Sequence, residues 1–427
     1  MDKAPPVFGS QLTKACSDLR AEPLLVRVVA LAPGAVALVG GALRDRLLGL
    51  PTKDLDLVVP GGAEALARQL ARERGGRLVA LGGDRFAAYR VVLPASEPYT
   101  VVDLWEHAGT TLEQDLERRD FTVNALALDL GSGRLTDLCG GLSDLEARRL
   151  RAVTPRSFAE DPLRVLRLAR LAATLPGFAV EPGTLELARA AVSGLERVAA
   201  ERVRTELELI FESPRAAVAL RVLLELGIYP RAWLEDGEAP PQTLSLPALL
   251  ESFEVEASAL ERNAPALAPS SRPAARWALS ALAVGGGEAP LAHLAERGWL
   301  SKAGWRQVAP LLAAAELPRG EVARRRFLHR LGGAQDTGLA LAATLARAGG
   351  EPSWCEAELP ELVALALREG PELARPPKLL SGEEAAELLA LAPGRELGRA
   401  LAALRGAQVD GLVRDRAGAL AFLAAWR

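Results

Sequence analysis

Asp54 and Asp56 stand two residues apart in residues 38–59, LVGGALRDRLLGLPTKDLDLVV. The apolar run that follows predicts a strand over 55–59. Strand side chains alternate, so both carboxylates point to one face. Carboxylate oxygens suit Mg²⁺, which otherwise keeps its waters and takes substrate phosphates. Paired metals hold the attacking and leaving oxygens of an in-line displacement. Upstream, Gly40-Gly41 falls between a predicted strand, 36–39, and a predicted helix, 42–49. Glycine lets a backbone approach a phosphate, and a helix N-terminus offers free N–H groups to it. Arg44, one turn into that helix, adds a charge suited to a triphosphate.

A third carboxylate is expected near the pair. Asp103 lies in TVVDL, an otherwise apolar strand where an acid is costly unless paired or metal-bound. Glu106 is the second choice for that role. Residues 117–129, ERRDFTVNALALD, bring Arg118, Arg119 and Asp120 to a helix end. Asn124 then falls in a predicted strand, 122–130, on the same face as Thr122. Arginine forks match pairs of phosphate oxygens. Glu160-Asp161-Pro162-Leu163-Arg164 predicts a helix start, with proline in the first turn. Asp161 and Arg164, at i and i+3, share a helix face. An acceptor beside a donor matches the base edge of cytosine or adenine; uracil and guanine reverse it. Arg167 and Arg170 extend a basic stripe along the same helix.

The elements that must position these residues change character along the chain. Residues 1–33 predict an N-terminal extension with one amphipathic helix around 11–30. From 34 to 153 strands and helices mix: strands over 77–81, 86–93 and 100–104, and helices over 63–74 and 111–120. Beyond 155 the pattern is helical, as in 161–174, 183–192, 200–211 and 214–226, with Pro- or Gly-rich breaks such as 264–273 and 371–377.

The chain has 427 residues and a net charge of −3, enough length for several domains. A near-neutral total makes any contact with nucleic acid a matter of local basic patches. Cys16, Cys139 and Cys355 lie far apart without zinc spacing, which predicts reduced thiols in a cytoplasmic protein. No apolar run is long enough to span a membrane, and MDKAPPVFGS does not read as a signal peptide.

Five ordered motifs carry a resemblance. LVGGALRDRLLGLPTKDLDLVV, ERRDFTVNALALD, LTDLCGGLSDLEARRLR, AEDPLRVLRLAR and AAERVRTELELIF together resemble the class II tRNA nucleotidyltransferase (CCA-adding or CC-adding enzyme) and bacterial poly(A) polymerase family. The resemblance implies an α+β fold: a polymerase-β-like head followed by an all-helical neck, body and tail. It implies a catalytic head over 34–153, a neck that recognises the base over 154–230, and an RNA-binding body and tail over 231–427. It further implies that CMP or AMP passes from CTP or ATP to a tRNA 3′ end with release of pyrophosphate. Asp54 and Asp56, with Asp103 as third, would hold Mg²⁺. Gly40, Gly41 and Arg44 would hold the triphosphate, Arg119, Asp120 and Asn124 the sugar and phosphates, and Asp161 and Arg164 the base, with Arg118 beside them on the reading of the residues above.

Two departures narrow the expectation. Residues 104–111, LWEHAGTT, are short where CCA-adding members often carry a longer loop that switches specificity from CTP to ATP. This favours a product of CC over the full CCA. The chain has only His107, His293 and His329 and no His-Asp pair, which argues against a working HD phosphohydrolase; residues 276–283 faintly resemble a degenerate remnant. A poly(A) polymerase is the alternative within the family. An inactive RNA-binding protein is the alternative outside it, disfavoured by the intact Asp54, Asp56 and Arg164.

Overall fold

The computed structural model describes residues 7–81, 88–106, 111–234, 245–285 and 287–426. The chain divides into two compact units, one comprising Met1–Leu168 and Leu175–Arg197, the other Ala169–Thr174 and Val198–Arg427. Among the described residues no helix is long and apolar enough to cross a membrane.

The first unit is built on a seven-stranded sheet. Its strands are β1 (Ala37–Val39), β2 (Asp54–Val59), β3 (Arg77–Ala80), β4 (Ala88–Val92), β5 (Val101–Glu106), β6 (Leu126–Asp129) and β7 (Leu135–Asp137). Their spatial order is β3-β4-β5-β2-β1-β6-β7. Among the described strands of this sheet only β2 and β5 pair in parallel; the other neighbours are antiparallel. A parallel pair needs a long crossover, which the helix Ala63–Arg74 and the β3–β4 hairpin provide. Leu66, Ala67, Leu70 and Ala71 form the buried stripe of that helix, the i, i+3, i+4 spacing of an amphipathic helix.

The N-terminal segment is two helices, Val7–Ala21 and Pro23–Leu31, where one was expected. Pro23 opens the second, and the residue before a proline is pushed out of helical geometry. Arg20 reaches back to the carbonyls of Leu130 and Gly131 at 3.0 and 2.6 Å, fastening the first helix to the β6–β7 hairpin.

The expected strand 122–130 is also corrected. Thr122–Asn124 form a 3₁₀ turn, and the strand begins at Leu126. Asp120 accepts hydrogen bonds from its own neighbour Phe121 N–H and from the Asn124 amide. Such local side-chain bonds compete with strand geometry.

The second unit is helical throughout its described residues. Phe211, Trp277 and Trp233 stack in its interior, with centroids 4.3 and 6.5 Å apart. Buried Arg276 ties the helix Arg272–Leu282 to the Phe211 carbonyl and to Glu254. That helix is where the sequence suggested an HD-like remnant. His293 and His329 are the described histidines, and no three His, Cys, Asp or Glu side chains among the described residues converge to hold a metal. The arginine-rich stretch around 319–330 is neutralised in place: Arg319, Arg324, Arg325, Arg326 and Arg330 pair with Glu351, Glu358, Glu369, Asp410 and Glu316.

Candidate active site

The register of the sheet places the acidic residues. Asp56 on β2 lies beside Asp103 on β5, and Arg90 on β4 lies opposite Asp103. Because alternate residues share a face, Asp54, Asp56, Asp103, Arg90 and Trp105 all project from one side. Glu106 projects from the other, where its carboxylate accepts the Ala63 N–H at 2.6 Å and starts the crossover helix. The pleat therefore removes Glu106 from consideration as the third carboxylate.

Asp103 stands where a third carboxylate was expected, but Arg90 holds it. Arg90 Nε and Nη2 donate to Asp103 Oδ1 and Oδ2, both at 2.8 Å, a bidentate fork. The third-ligand role for Asp103 therefore meets a competing cation. Asp54 and Asp56 are left with ionised forms that the site disfavours. Burial pushes the Asp54 carboxyl up and the Asp103 charge adds to this, while Arg90 and Lys53 pull it down. Burial also raises Asp56; Arg119 opposes this, and the charges of Asp103 and Asp54 reinforce it. Two hard carboxylates in this condition fit Mg²⁺, which is commonly held by one or two carboxylates plus substrate phosphates and waters.

The glycines sit on the opposite flank of the pair. The helix begins at Gly40 itself, as Gly40–Leu47, with β1 running straight into it, not two residues later as expected. Gly40 has φ +73°, and a Cβ there would lie 2.7 Å from Arg119 Nη1 and 3.2 Å from Asp56 Oδ2. Gly40, Asp56 and Arg119 thus crowd one point, and glycine is required for both conformation and space. Arg119 is braced by Asp115, which accepts from its Nε and Nη2 at 3.1 and 2.9 Å.

Behind this surface runs a buried polar chain. Arg44 is bound by Asp45 and donates to Asn124 Oδ1 at 2.6 Å. Asn124 in turn donates to Asp120 at 2.9 Å, and Arg167 donates to the other Asp120 oxygen at 2.7 Å. Burial pushes the Asp120 carboxyl up, but Arg167, Asn124 and the Phe121 N–H hold it below the usual carboxylate range. Arg44, Asp120 and Asn124 were expected to meet substrate; the fold instead engages their polar atoms with one another. Arg167 was expected to extend a basic stripe with Arg170. Arg167 is committed to Asp120, and Arg170 donates to Glu206 at 2.7 Å.

Asp161 and Arg164 do not share a helix face. The helix starts at Arg164, and Asp161 is extended, with φ −142° and ψ 97°, after a short helix Ser157–Glu160. The Asp161 carboxylate accepts the Leu163 N–H at 3.2 Å. Arg164 Nη1 and Nη2 donate to the carbonyls of Ser157 and Arg118 at 3.0 and 2.5 Å. The Arg118 backbone thus anchors Arg164, while the Arg118 side chain is exposed.

Three contributors were missed. Arg90 had a signal, since it interrupts the apolar strand AYRVVL as Asp103 interrupts its own. Asp115 brackets Arg119 at i, i+4. Asp144 is fully buried and gathers Thr122 Oγ, Arg149 and Arg151 at 2.6 to 2.8 Å, supporting the 3₁₀ turn from below.

Residues 36–151 match the family described as "Poly A polymerase head domain", and residues 177–232 match "Probable RNA and SrmB- binding site of polymerase A". The chain is 34% identical over 409 residues to a CC-adding tRNA nucleotidyltransferase of Geobacter sulfurreducens, covering 90% of each chain. It is 44% identical over 190 residues to a Multifunctional CCA protein of Xylella fastidiosa, covering 42% of this chain and 45% of that one. The solved structure of a Thermotoga maritima CCA-adding enzyme complexed with tRNA shares the fold, with TM-score 0.61 at 23% identity over 97% of this chain and 98% of that one. With its acidic pair, its glycine-started helix and a relative alike over nine-tenths of its length, the chain belongs to the tRNA nucleotidyltransferase and poly(A) polymerase family of enzymes.

Proposed function

We propose that the chain adds two cytidylates to a tRNA 3′ end, using CTP and Mg²⁺ and releasing pyrophosphate. The observation that carries this is the short connection after β5. The strand ends at Glu106, and Thr111 already caps the helix Leu112–Glu117. Residues 107–110 lie outside the described residues, but their number leaves little chain for a loop that switches the site from CTP to ATP. The similarity to a CC-adding relative over nine-tenths of each chain supports the same reading. A cytoplasmic site of action is part of this reading and is consistent with a tRNA substrate.

Asp54 and Asp56 would hold the metal ions, which draw electron density from the phosphate and stabilise the attacking and leaving oxygens. Gly40 and Gly41 leave room for the triphosphate against the helix N-terminus, and Arg119 stands beside it. Asn124, Arg44 and Asp120 keep that surface rigid from behind. Arg164 would meet the base with N–H groups that the Ser157 and Arg118 carbonyls do not take, near Glu160, whose carboxylate lies 3.9 Å from its Nη1, and Asp161, three residues upstream, would supply an acceptor. The fixed guanidinium plane lets a protein choose a base edge without a template.

The test supplies Mg²⁺ with tRNA lacking its 3′ terminus, or already ending in CC, together with CTP, ATP or both. Addition that stops after two cytidylates is expected. Efficient addition of A to the CC-ended tRNA would make the full CCA the product, and long A tracts on unrelated RNA would make the enzyme a poly(A) polymerase. Asp54→Ala is expected to abolish incorporation while RNA binding persists.

A further inference from the structure

Arg90 lies on the far side of the acidic pair from the glycines. The strand order β4-β5-β2-β1 puts Arg90 and Asp103 on one flank of Asp54 and Asp56, and Gly40 and Arg119 on the other. An in-line displacement requires the attacking and leaving oxygens to lie on opposite sides of the reacting phosphorus. With the triphosphate on the glycine flank, the attacking strand must come from the Arg90 flank.

We infer that Arg90, anchored on Asp103, binds the terminal phosphodiester of the attacking RNA strand and positions its 3′ end. This rests on the nucleotidyltransfer reading above. A guanidinium has five N–H donors, and Asp103 accepts two of them. The side chain is 41% exposed while Asp103 is 11% exposed, so the anchored edge is inside and the guanidinium meets solvent. The pair also changes what a polyanion encounters. Without Arg90, RNA would meet three carboxylates; with it, Asp103 is neutralised and a cation stands at the rim. Trp105 lies on the same face, two residues along β5 from Asp103, and is 39% exposed. An exposed indole beside a phosphate-binding arginine is the combination on which single-stranded bases stack. Phosphate contacts of this kind fix register without reading sequence.

The experiment measures binding of tRNA lacking its 3′ terminus, without nucleotide, over a range of salt concentrations, and separately the KM for CTP. Arg90→Gln is expected to weaken RNA binding about tenfold and to reduce the salt slope by roughly 0.7 to 0.9, with the KM for CTP within about twofold of the parent. Arg90→Lys keeps the charge and is expected to retain the slope, and it serves as the folding control. Trp105→Ala is expected to weaken RNA binding about fivefold without altering the salt slope. Unchanged RNA affinity and slope in Arg90→Gln would overturn the inference. So would a raised KM for CTP with RNA binding intact, which would assign Arg90 to the triphosphate. Failure of the unaltered protein to bind any tRNA would instead overturn the proposed function.

Discussion

Alanine at Gly40 and alanine at Gly41 should part company. At Gly40 the backbone has φ +73°, where a residue with a Cβ is disfavoured by about 1–2 kcal/mol. The new Cβ would also stand 2.7 Å from Arg119 Nη1, so the guanidinium must move. Its ion pair with the partly exposed Asp115 would weaken, at a cost of up to about 1 kcal/mol. The sum is about 1–3 kcal/mol, a fall in melting temperature of about 2–12 °C for a unit of this size. At Gly41 the nearest atom to an added Cβ is Arg44 Nη2 at 3.4 Å, an ordinary contact, and φ is not positive. Alanine within a helix is favoured over glycine by roughly 0.5–1 kcal/mol, so Gly41→Ala should melt at or slightly above the parent. Incorporation of labelled CMP should nonetheless fall about tenfold or more in Gly41→Ala, if its backbone approaches the triphosphate. Calorimetry and incorporation on the same samples decide the matter. Parent-like melting of Gly40→Ala would refute the steric argument. Full activity in a stable Gly41→Ala would refute the phosphate cradle.

Asp144→Asn should destabilise the first unit by about 2–4 kcal/mol, because Thr122 and two arginines lose a buried anion. Burial raises the Asp144 carboxyl, and its bonds from Thr122, Arg149 and Arg151 more than offset this, so it lies below its ordinary value. A depressed carboxyl contributes stability above its unfolded value of about 3.9 and loses it as pH falls through the folded value. The gap between parent and variant should therefore be constant from pH 7 to 5 and close in stronger acid; a gap that widens there contradicts the reasoning. Asp120→Ala should cost about 3 kcal/mol by stranding Asn124 and Arg167, and parent-like chemical denaturation would contradict the buried chain. Mg²⁺ at ten times its dissociation constant should add about 1.4 kcal/mol of stability, read as a rise in melting temperature. That rise should vanish in Asp54→Asn, and its persistence there would place the ion elsewhere.

The acidic pair was legible because its signal is local. Spacing in DLDLVV fixes the face, and neighbouring apolar residues fix the strand. The third acid was legible for the same reason, since an aspartate in TVVDL demands a partner. The partner was not legible, because Arg90 reaches Asp103 only through the pairing of β4 with β5, and no local pattern encodes that register. The errors at Asn124 and Asp161 share another cause. In both places a short polar side chain bonds to its own backbone neighbourhood, through Asp120 to Phe121 and Asp161 to Leu163. These bonds override the strand and helix periodicities that otherwise hold. The two N-terminal helices show the converse, a local signal at Pro23 that the amphipathic pattern outweighed.

The arginines near the site divide by what they already hold. Arg44, Arg164 and Arg167 are committed to carbonyls, an amide or carboxylates within the fold. Their charges were expected to face substrate, yet moving any of them outward would strand a partner in a buried place. Fixed groups of this kind suit recognition, because a donor that cannot turn distinguishes one base edge from another. Arg90 and Arg119 are different. Each is braced by a carboxylate through part of its guanidinium and stands on one flank of Asp54 and Asp56. Arg119 crowds the glycine flank, proposed above for the triphosphate, and Arg90 the opposite flank, inferred above for the attacking strand. Two carboxylates with disfavoured charge between two braced cations make a site that is electrostatically incomplete. Two divalent ions and two phosphates would balance it from the middle and from both sides.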